Sequence, residues 1–285
     1  MRLGIQIPSF TFPGGKAALG SDLAAIARTA DDGGFDAIAV MDHFFQIGPV
    51  GPPDMDMLEA YTTLGFLAAH TSRAKLFTLV TGTIYREPGL LAKTLSTLDV
   101  LSGGRAILGI GAAWNEEESR GLGFRFPPVA ERFERLEETL QICRQMFDGT
   151  DAPYQGKHYA LERSLNVPTP IGPLPIMIGG GGEKKTLRLV AQYAQFCNLF
   201  PGPDLAHKLD VLRQHCADVG RDYDEIDKTV YYTWDTSKPS SQIVDELGSL
   251  AGMGFGLALG GCRDVHTLTP LETIAAEVLP QVASL

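Results

Sequence analysis

The sequence has few cysteines, an excess of negative charge and no long apolar run. Its four cysteines lie far apart and form no C-x-x-C pair, which argues against a disulfide framework or a metal site. Lys and Arg number 24 against 34 Asp and Glu, a net charge of −10, so a general surface for nucleic acid or anionic lipid is not expected. No segment approaches the ~20 apolar residues of a membrane span, and the N-terminus has no apolar signal region. We therefore predict a cytoplasmic protein that binds neither nucleic acid nor membranes.

Short apolar runs rich in β-forming residues recur eight times and alternate with segments of helical spacing. Near-continuous apolar strands of this kind are typical of parallel sheets covered on both faces. Eight such units predict an α/β fold, a (β/α)8 TIM barrel with loop insertions, as a single domain over residues 1–285. A doubly wound sheet is the alternative. The predicted strands are 3–7, 37–41, 76–82, 106–111, 175–179, 196–200, 229–234 and 256–261.

Helix boundaries follow from capping residues and glycines. Ser21 is the predicted N-cap of the first helix, and Pro88 fits a first helical position. Gly103 and Gly220 are predicted to end two of the later helices. The longest insertions are 43–56, 112–127 and 148–174, and the last of these is predicted to contain a hairpin around Gly156.

Candidate site residues follow from the ends of the predicted strands, where barrel active sites gather. No predicted strand ends in lysine, which argues against Schiff-base aldolase chemistry. A metal hydrolase needs several converging ligands, and only the second strand offers a His beside an Asp, so no metal site is predicted. The strand ends offer small residues and exposed backbone instead. They suit a flat, extended small-molecule ligand that lies across the mouth of the barrel.

The pair Asp42 and His43 follows the second strand. An imidazole can donate or accept a proton near neutral pH, and a neighbouring carboxylate can bond to a ligand or to the backbone. The alternative is that Asp42 caps a turn and His43 is a packed loop residue.

The stretch "GIGAAWNEEE" follows the fourth strand. Its small residues would leave a floor for a ring, Trp114 would supply a wall, and Asn115 would supply a donor and an acceptor. The alternative is that Trp114 is an aromatic residue of the core or of an interface. Glu116, Glu117 and Glu118 are predicted to form a solvated, acidic first helical turn.

Four consecutive glycines, 179 to 182, separate the fifth strand from a helix. Glycine lets a ligand approach the backbone closely, and a helix N-terminus adds free N–H groups, so this segment could hold a phosphate. A flexible strand-to-helix turn is the alternative.

Together these stretches resemble the luciferase-like monooxygenase superfamily, in its branch that uses the deazaflavin coenzyme F420. The resemblance covers most of residues 1–200 and rests on the order and spacing of four fragments: "MDHFFQI", "VTGTIYREPGLLAKTLSTLDVLSGGRAILGIGAAWNEEE", "RFERLEETLQICRQMF" and "IMIGGGGEKKTLRLVAQYA". It implies a barrel with the cofactor over its mouth and a cis peptide bond, not preceding proline, within Leu79 to Gly82.

The resemblance also assigns roles to residues. The cofactor ring would bond to the backbone of two strand ends and to the side chains of Asp42 and Asn115, and the phosphate would sit on the glycines. Lys184, Lys185 and Arg86 would offset the charge of the coenzyme's tail. The implied backbone contacts are Val80, Thr81, Gly82, Gly111, Ala112 and Ala113 for the ring, and Gly179, Gly180, Gly181 and Gly182 for the phosphate.

The implied activity is hydride transfer between the coenzyme's C5 and a substrate carbon, with His43 as the catalytic proton donor or acceptor. Two positions depart from the sugar-phosphate dehydrogenase branch: Ala112 replaces a glutamate and Ile47 replaces a tryptophan. With Phe44 and Trp114 beside them, they predict a less polar substrate pocket.

Two other functions remain open from the sequence. One is an FMN-dependent monooxygenase that uses reduced flavin and oxygen, and the other is a cofactor-binding protein without turnover. Members of the family commonly form dimers, and the resemblance implies a homodimer here.

Overall fold

The parallel sheet winds round into a barrel. A computed structural model describes all residues, 1–285, and contains these strands: β1 (Arg2–Ile7), β2 (Ala37–Val40), β3 (Lys75–Thr78), β4 (Thr81–Gly82), β5 (Leu108–Gly111), β6 (Tyr154–Gln155), β7 (Ala160–Leu161), β8 (Ile176–Gly179), β9 (Phe196–Leu199), β10 (Asp227–Tyr231) and β11 (Leu257–Gly261). The main sheet runs in the order β3-β2-β1-β11-β10-β9-β8-β5-β4, and all its neighbours are parallel. Two backbone bonds, Leu76 N to Arg105 O (2.9 Å) and Ile107 N to Leu76 O (3.2 Å), bring the sheet's ends together. The predicted eight-stranded α/β barrel is confirmed, with β3 and β4 as two pieces of one barrel strand.

The break between β3 and β4 falls at Leu79 and Val80. The peptide bond that joins these two residues is cis, within the range that the family resemblance implied. Thr81 then pairs with Ile110 of β5, so the strand resumes after the break.

Helices connect the strands and cover the outside of the barrel. They are α1 (Gly15–Asp32), α2 (Ala60–Ala68), α3 (Pro88–Ser102), α4 (Glu116–Gly121), α5 (Val129–Phe147), α6 (Thr186–Tyr193), α7 (Leu205–Val219), α8 (Ser240–Gly252), α9 (Thr269–Thr273) and α10 (Leu279–Val282). None of them combines the length and the apolar character needed to cross a membrane.

Three of the predicted helix boundaries are confirmed and one is wrong. Pro88 opens α3, and Gly103 and Gly220 follow α3 and α7 in the left-handed conformation, with φ of 73° and 70°. Ser21, however, lies inside α1, which begins at Gly15. Its hydroxyl donates to the carbonyl of Ala18 (2.7 Å), a bond that serine makes within a helix, so the side chain caps nothing.

The predicted hairpin in the 148–174 insertion is present as the antiparallel pair β6 and β7. The Glu138 carboxylate of α5 accepts hydrogen bonds from the backbone N–H groups of Lys157, His158 and Tyr159 (2.8 to 3.2 Å). The Glu138 side chain therefore helps to tie the insertion to the helix α5 on the outside of the barrel.

Two apolar layers position the site. Most core residues lie between the strands and the helices, while a smaller cluster fills the barrel interior: Ala37, Ala39, Phe77, Ile107, Met177, Leu257 and Leu259. Because the interior is packed by side chains, space for a ligand remains only toward the carboxyl ends of the strands. The single-domain organisation over residues 1–285 stays a prediction.

Candidate active site

A cavity of about 570 Å³ opens at the carboxyl ends of the barrel strands. This volume falls in the range of small-molecule and cofactor sites. It brings together most of the residues predicted from the sequence: His43, Ile47, Val80, Thr81, Gly82, Gly111, Ala112, Ala113, Trp114, Gly179 and Gly180. Five predicted residues do not line it: Asp42, Phe44, Asn115, Gly181 and Gly182.

The floor of the cavity is built around Val80. A Cβ atom on Gly179 would lie 3.0 Å from Val80 Cγ1, and one on Gly111 would lie 3.1 Å from Val80 Cγ2. The two glycines therefore give room to the Val80 side chain, which closes the barrel beneath the cavity. Ala113, on the same side, has a left-handed φ of 62°, which is uncommon for a residue with a Cβ and turns the chain at the cavity edge.

His43 presents one ring nitrogen to the cavity. Its Nδ1 lies 2.6 Å from Oε1 of Glu118, and its Nε2 makes no hydrogen bond within the protein. The ring of Trp114 meets the imidazole edge-on, with 5.4 Å between centroids. Trp114 is 61% exposed, so it forms an outer wall of the cavity and is not a core residue.

Glu118 corrects the prediction of a solvated acidic turn. Glu116 and Glu117 are exposed, but the Glu118 side chain is completely buried and accepts four hydrogen bonds. The donors are His43 Nδ1 (2.6 Å), the Tyr85 hydroxyl (2.6 Å) and the backbone N–H groups of Phe44 (2.8 Å) and Phe45 (3.3 Å). One face of the short helix α4 packs inward, and this face carries Glu118.

The four donors keep Glu118 ionised. Burial raises the pKa of this carboxyl, but the hydrogen bonds from His43, Tyr85 and Phe44 outweigh it, and the pKa lies below its ordinary value of 4.5. An ionised carboxylate can only accept, so the proton between Glu118 and His43 belongs to Nδ1. The carboxylate therefore fixes the imidazole tautomer and leaves Nε2 of the neutral ring as an acceptor toward the cavity.

Asp42 does not reach the cavity, which corrects its predicted role in cofactor binding. Both of its carboxylate oxygens bond to the Arg86 guanidinium, at 2.6 and 3.0 Å, and its side chain is fully buried. Burial raises the pKa of Asp42, and the Arg86 charge opposes that shift. Arg86 also pairs with Glu59 (2.5 Å), so it is engaged away from the cavity and does not offset a coenzyme charge there.

Asn115 and Phe44 also differ from their predicted roles. The Asn115 side chain caps α4, where Oδ1 accepts from the N–H of Glu118 (3.4 Å), so it positions the helix that carries Glu118. Phe44 packs against Tyr85 and Phe124, each at 5.3 Å between ring centroids, outside the cavity wall.

The glycine segment begins a cradle, which we define as residues 180–186 and whose N–H groups from Gly181 onward are free. Gly180 has a φ of 118°, a backbone conformation that side chains rarely allow, and its N–H donates to Asn198 O (3.1 Å). None of the N–H groups from Gly181 to Thr186 donates a hydrogen bond within the protein. Lys184 and Lys185 are exposed beside them. Such N–H groups before a helix are the geometry that binds an anion.

Sequence reasoning missed several cavity residues that lie on strands, in the loop after β4 or at the first position of α6. They are Gln6, Tyr85, Thr186, Asn198 and Tyr231. A polar residue inside an apolar strand was the available signal, since Gln6 interrupts "LGIQI" and Asn198 interrupts "FCNLF". No sequence signal distinguished Glu118 from the two glutamates before it.

The chain belongs to the luciferase-like monooxygenase family, whose model matches residues 1–259. A relative named F420-dependent glucose-6-phosphate dehydrogenase, from Kineococcus radiotolerans, is 32% identical over 239 residues, which is 81% of this chain and 66% of that protein. A protein of the same name from Nakamurella multipartita is 32% identical over 212 residues, 73% of this chain and 61% of that protein. The matched part of the chain thus spans less than two thirds of both relatives.

A solved structure shares the whole fold. A coenzyme F420-dependent tetrahydromethanopterin reductase from Methanopyrus kandleri superimposes with a TM-score of 0.81 at 17% identity, over 99% of both chains. At this identity the likeness concerns the fold.

Proposed function

We propose that this protein is an F420-dependent oxidoreductase that acts on an uncharged, mainly apolar substrate. The observation that carries the proposal is the cavity itself, which contains the His43 imidazole and meets the N–H cradle at Gly180 and Thr186, the two ends of that segment. The relatives named as F420-dependent dehydrogenases support the choice of coenzyme.

The residues present fit such a coenzyme. The free N–H groups of residues 181–186 match a phosphate, and the small strand-end residues Gly111, Ala112 and Ala113 leave a flat surface that suits a ring. When bound, the coenzyme would supply a hydride donor or acceptor at C5. Val80 to Gly82 and Gly111 to Ala113 would hold the ring, and Gly179 to Gly182 would hold the phosphate.

We assign the transfer of the substrate's proton to His43. Its Nε2 faces the cavity as an acceptor, so it would take the hydroxyl proton when an alcohol carbon loses a hydride. In the reverse direction the imidazolium would return that proton to the carbonyl oxygen. Glu118 orients the ring through Nδ1, while Trp114 packs edge-on against it on the outer side.

The walls of the cavity indicate the substrate class. None of the 21 lining residues is Lys, Arg, Asp or Glu, and the outer rim is formed by Ile47, Pro49, Val50, Trp114 and Phe200. A phosphorylated sugar would find no cation beside His43. We therefore infer that the substrate is a neutral alcohol or ketone with an apolar body, in contrast to the sugar phosphate in the names of the relatives.

Anaerobic assays of F420 reduction test the substrate class. We expect neutral secondary alcohols with apolar chains to reduce the coenzyme, and we expect glucose 6-phosphate to be at least about 100-fold less efficient, because its charge would lose ~3 kcal/mol or more of hydration without a partner. Free glucose is the matched control for the phosphate. A rate with glucose 6-phosphate that exceeds the rates with all the neutral alcohols would contradict the inference. The homodimer and the cytoplasmic location stay predictions.

A further inference from the structure

Asn198 is buried in the cavity wall with one polar atom unused. It lies on β9, is 3% exposed and lines the cavity. Its Nδ2 donates to Thr229 Oγ1 (2.8 Å), while its Oδ1 accepts no hydrogen bond from the protein. This oxygen is not among the fully buried side-chain atoms that lack a partner, so it is open to the cavity, and a molecule that occupies the cavity can donate a hydrogen bond to it.

The Thr229 hydroxyl fixes the orientation of this amide. Thr229 Oγ1 donates its single proton to the carbonyl of Cys197 (3.2 Å), so toward Asn198 it can only accept. The atom of Asn198 that faces Thr229 must then be a donor, which is Nδ2. Oδ1 is left for the cavity.

The other cavity amide offers no such atom. Gln6 donates through Nε2 to Leu79 O (3.0 Å) and accepts through Oε1 from the Tyr231 hydroxyl (3.2 Å). Asn166 Oδ1 also lacks a donor, but it is sealed in the core away from the cavity. Asn198 therefore supplies the free amide oxygen of the site.

The position of Asn198 identifies what it faces. It pairs in register with Gly179, and its backbone oxygen accepts the N–H of Gly180, where the cradle begins. The side chain thus lies between the phosphate cradle and the floor around Val80. A carbonyl oxygen attracts neutral donors and repels anionic oxygens, so it suits the part of a cofactor between its ring and its phosphate.

We propose that Asn198 Oδ1 accepts a hydrogen bond from a hydroxyl of the polyol chain that joins the ring of the bound coenzyme to its phosphate. This inference rests on the proposed function. An N–H of the ring is a second source of the same chemistry, and the experiment separates the two.

Fluorescence titration of F420 into the purified protein tests the inference. Asn198→Leu should raise the dissociation constant about tenfold, the equivalent of one hydrogen bond. Thr229→Val, which frees the amide to rotate but does not touch the cavity, should raise it about threefold. Asn166→Leu, the matched removal of a buried amide elsewhere, should leave it unchanged. The melting temperature of each cofactor-free variant shows that it is folded.

Binding of two phosphate-free 8-hydroxy-5-deazaflavins identifies the group that donates to Asn198. One compound carries a ribityl group at N10 and the other carries a methyl group there. A loss in Asn198→Leu for the ribityl compound alone supports the polyol hydroxyl, and equal losses for both compounds would overturn it in favour of the ring N–H. If the folded Asn198→Leu variant binds F420 as tightly as the wild-type protein does, the inference is overturned while the proposed function stands. Failure of the wild-type protein to bind F420 would overturn both.

Discussion

Replacement of His43 by alanine should lower the single-turnover rate of F420 reduction by about 10² to 10⁴, the range of general acid–base catalysis. The reason is that Nε2 of His43 is the unoccupied proton acceptor of a cavity without carboxylates or lysines. The coenzyme affinity should change little, because the cradle and the floor remain intact. Stopped-flow absorbance of the coenzyme, with a neutral alcohol as the reductant, measures the rate.

A second histidine provides a matched control for His43→Ala. His158 also bonds to a glutamate, with 2.7 Å between Nε2 and the Glu134 carboxylate, but it lies in the turn of the β6–β7 hairpin and outside the cavity. His158→Ala should therefore reduce the coenzyme at the wild-type rate. An unchanged rate in His43→Ala, with the coenzyme bound, would remove His43 from the mechanism.

Replacement of Glu118 by glutamine should move the proton of the neutral His43 ring from Nδ1 to Nε2. The two backbone N–H groups of Phe44 and Phe45 cannot reverse their polarity, so the amide oxygen must face them. The amide NH₂ then faces His43 Nδ1, which must become an acceptor. The nitrogen in the cavity would change from acceptor to donor. Loss of the base should slow alcohol oxidation by about 10² to 10⁴, the same range as for His43→Ala, because both variants remove the acceptor nitrogen from the cavity.

Nitrogen-15 NMR of the imidazole rings reads the tautomer directly, without a substrate. Glu117→Gln is the matched control, because Glu117 is the exposed neighbour on the same helix, and it should leave the His43 signals unchanged. Persistence of the Nδ1–H tautomer in Glu118→Gln would contradict the assignment of Glu118 as the orienting group.

The same variant should alter the pH dependence of stability. The pKa of Glu118 is lower in the folded protein than its ordinary value of 4.5, so its stabilisation is complete above that pH and is lost as the pH falls through the folded value. Glu118→Gln should lower the free energy of unfolding by about 1–3 kcal/mol at neutral pH and flatten the acid side of the stability curve, as measured by urea denaturation. If the free energy of unfolding of Glu118→Gln falls with decreasing pH as steeply as that of the wild type, the result would contradict an ionised Glu118.

The barrel and one half of the site could be predicted from the sequence. Alternation of apolar strands with helical spacing is a local signal, so each of the eight predicted strands overlaps a barrel strand, with bounds that differ by up to three residues at a terminus. The carboxyl ends of barrel strands converge, so the sequence predicts that His43, Gly111 and Gly179 lie close together, and all three line the cavity.

The remaining residues depend on contacts that sequence spacing does not reveal. The partner of Asp42 is Arg86, 44 positions away, and only the folded loops bring them together. Glu118 differs from Glu117 by its direction on a helix of fewer than two turns, which is too short for a periodic pattern. The orientation of Asn198 could be predicted in part. Adjacent residues of a strand face opposite sides of the sheet, so the polar Asn198 and the apolar Cys197 beside it must point to different sides.

Comparison of F420 and FMN binding tests the central claim most directly. Fluorescence titration of the purified protein with each cofactor should show F420 bound at least about tenfold more tightly than FMN, a difference of ~1.4 kcal/mol. With reduced FMN supplied, oxygen uptake should not exceed that of the free flavin. Tighter binding of FMN together with protein-dependent oxygen consumption would contradict the account and assign the chain to monooxygenase chemistry.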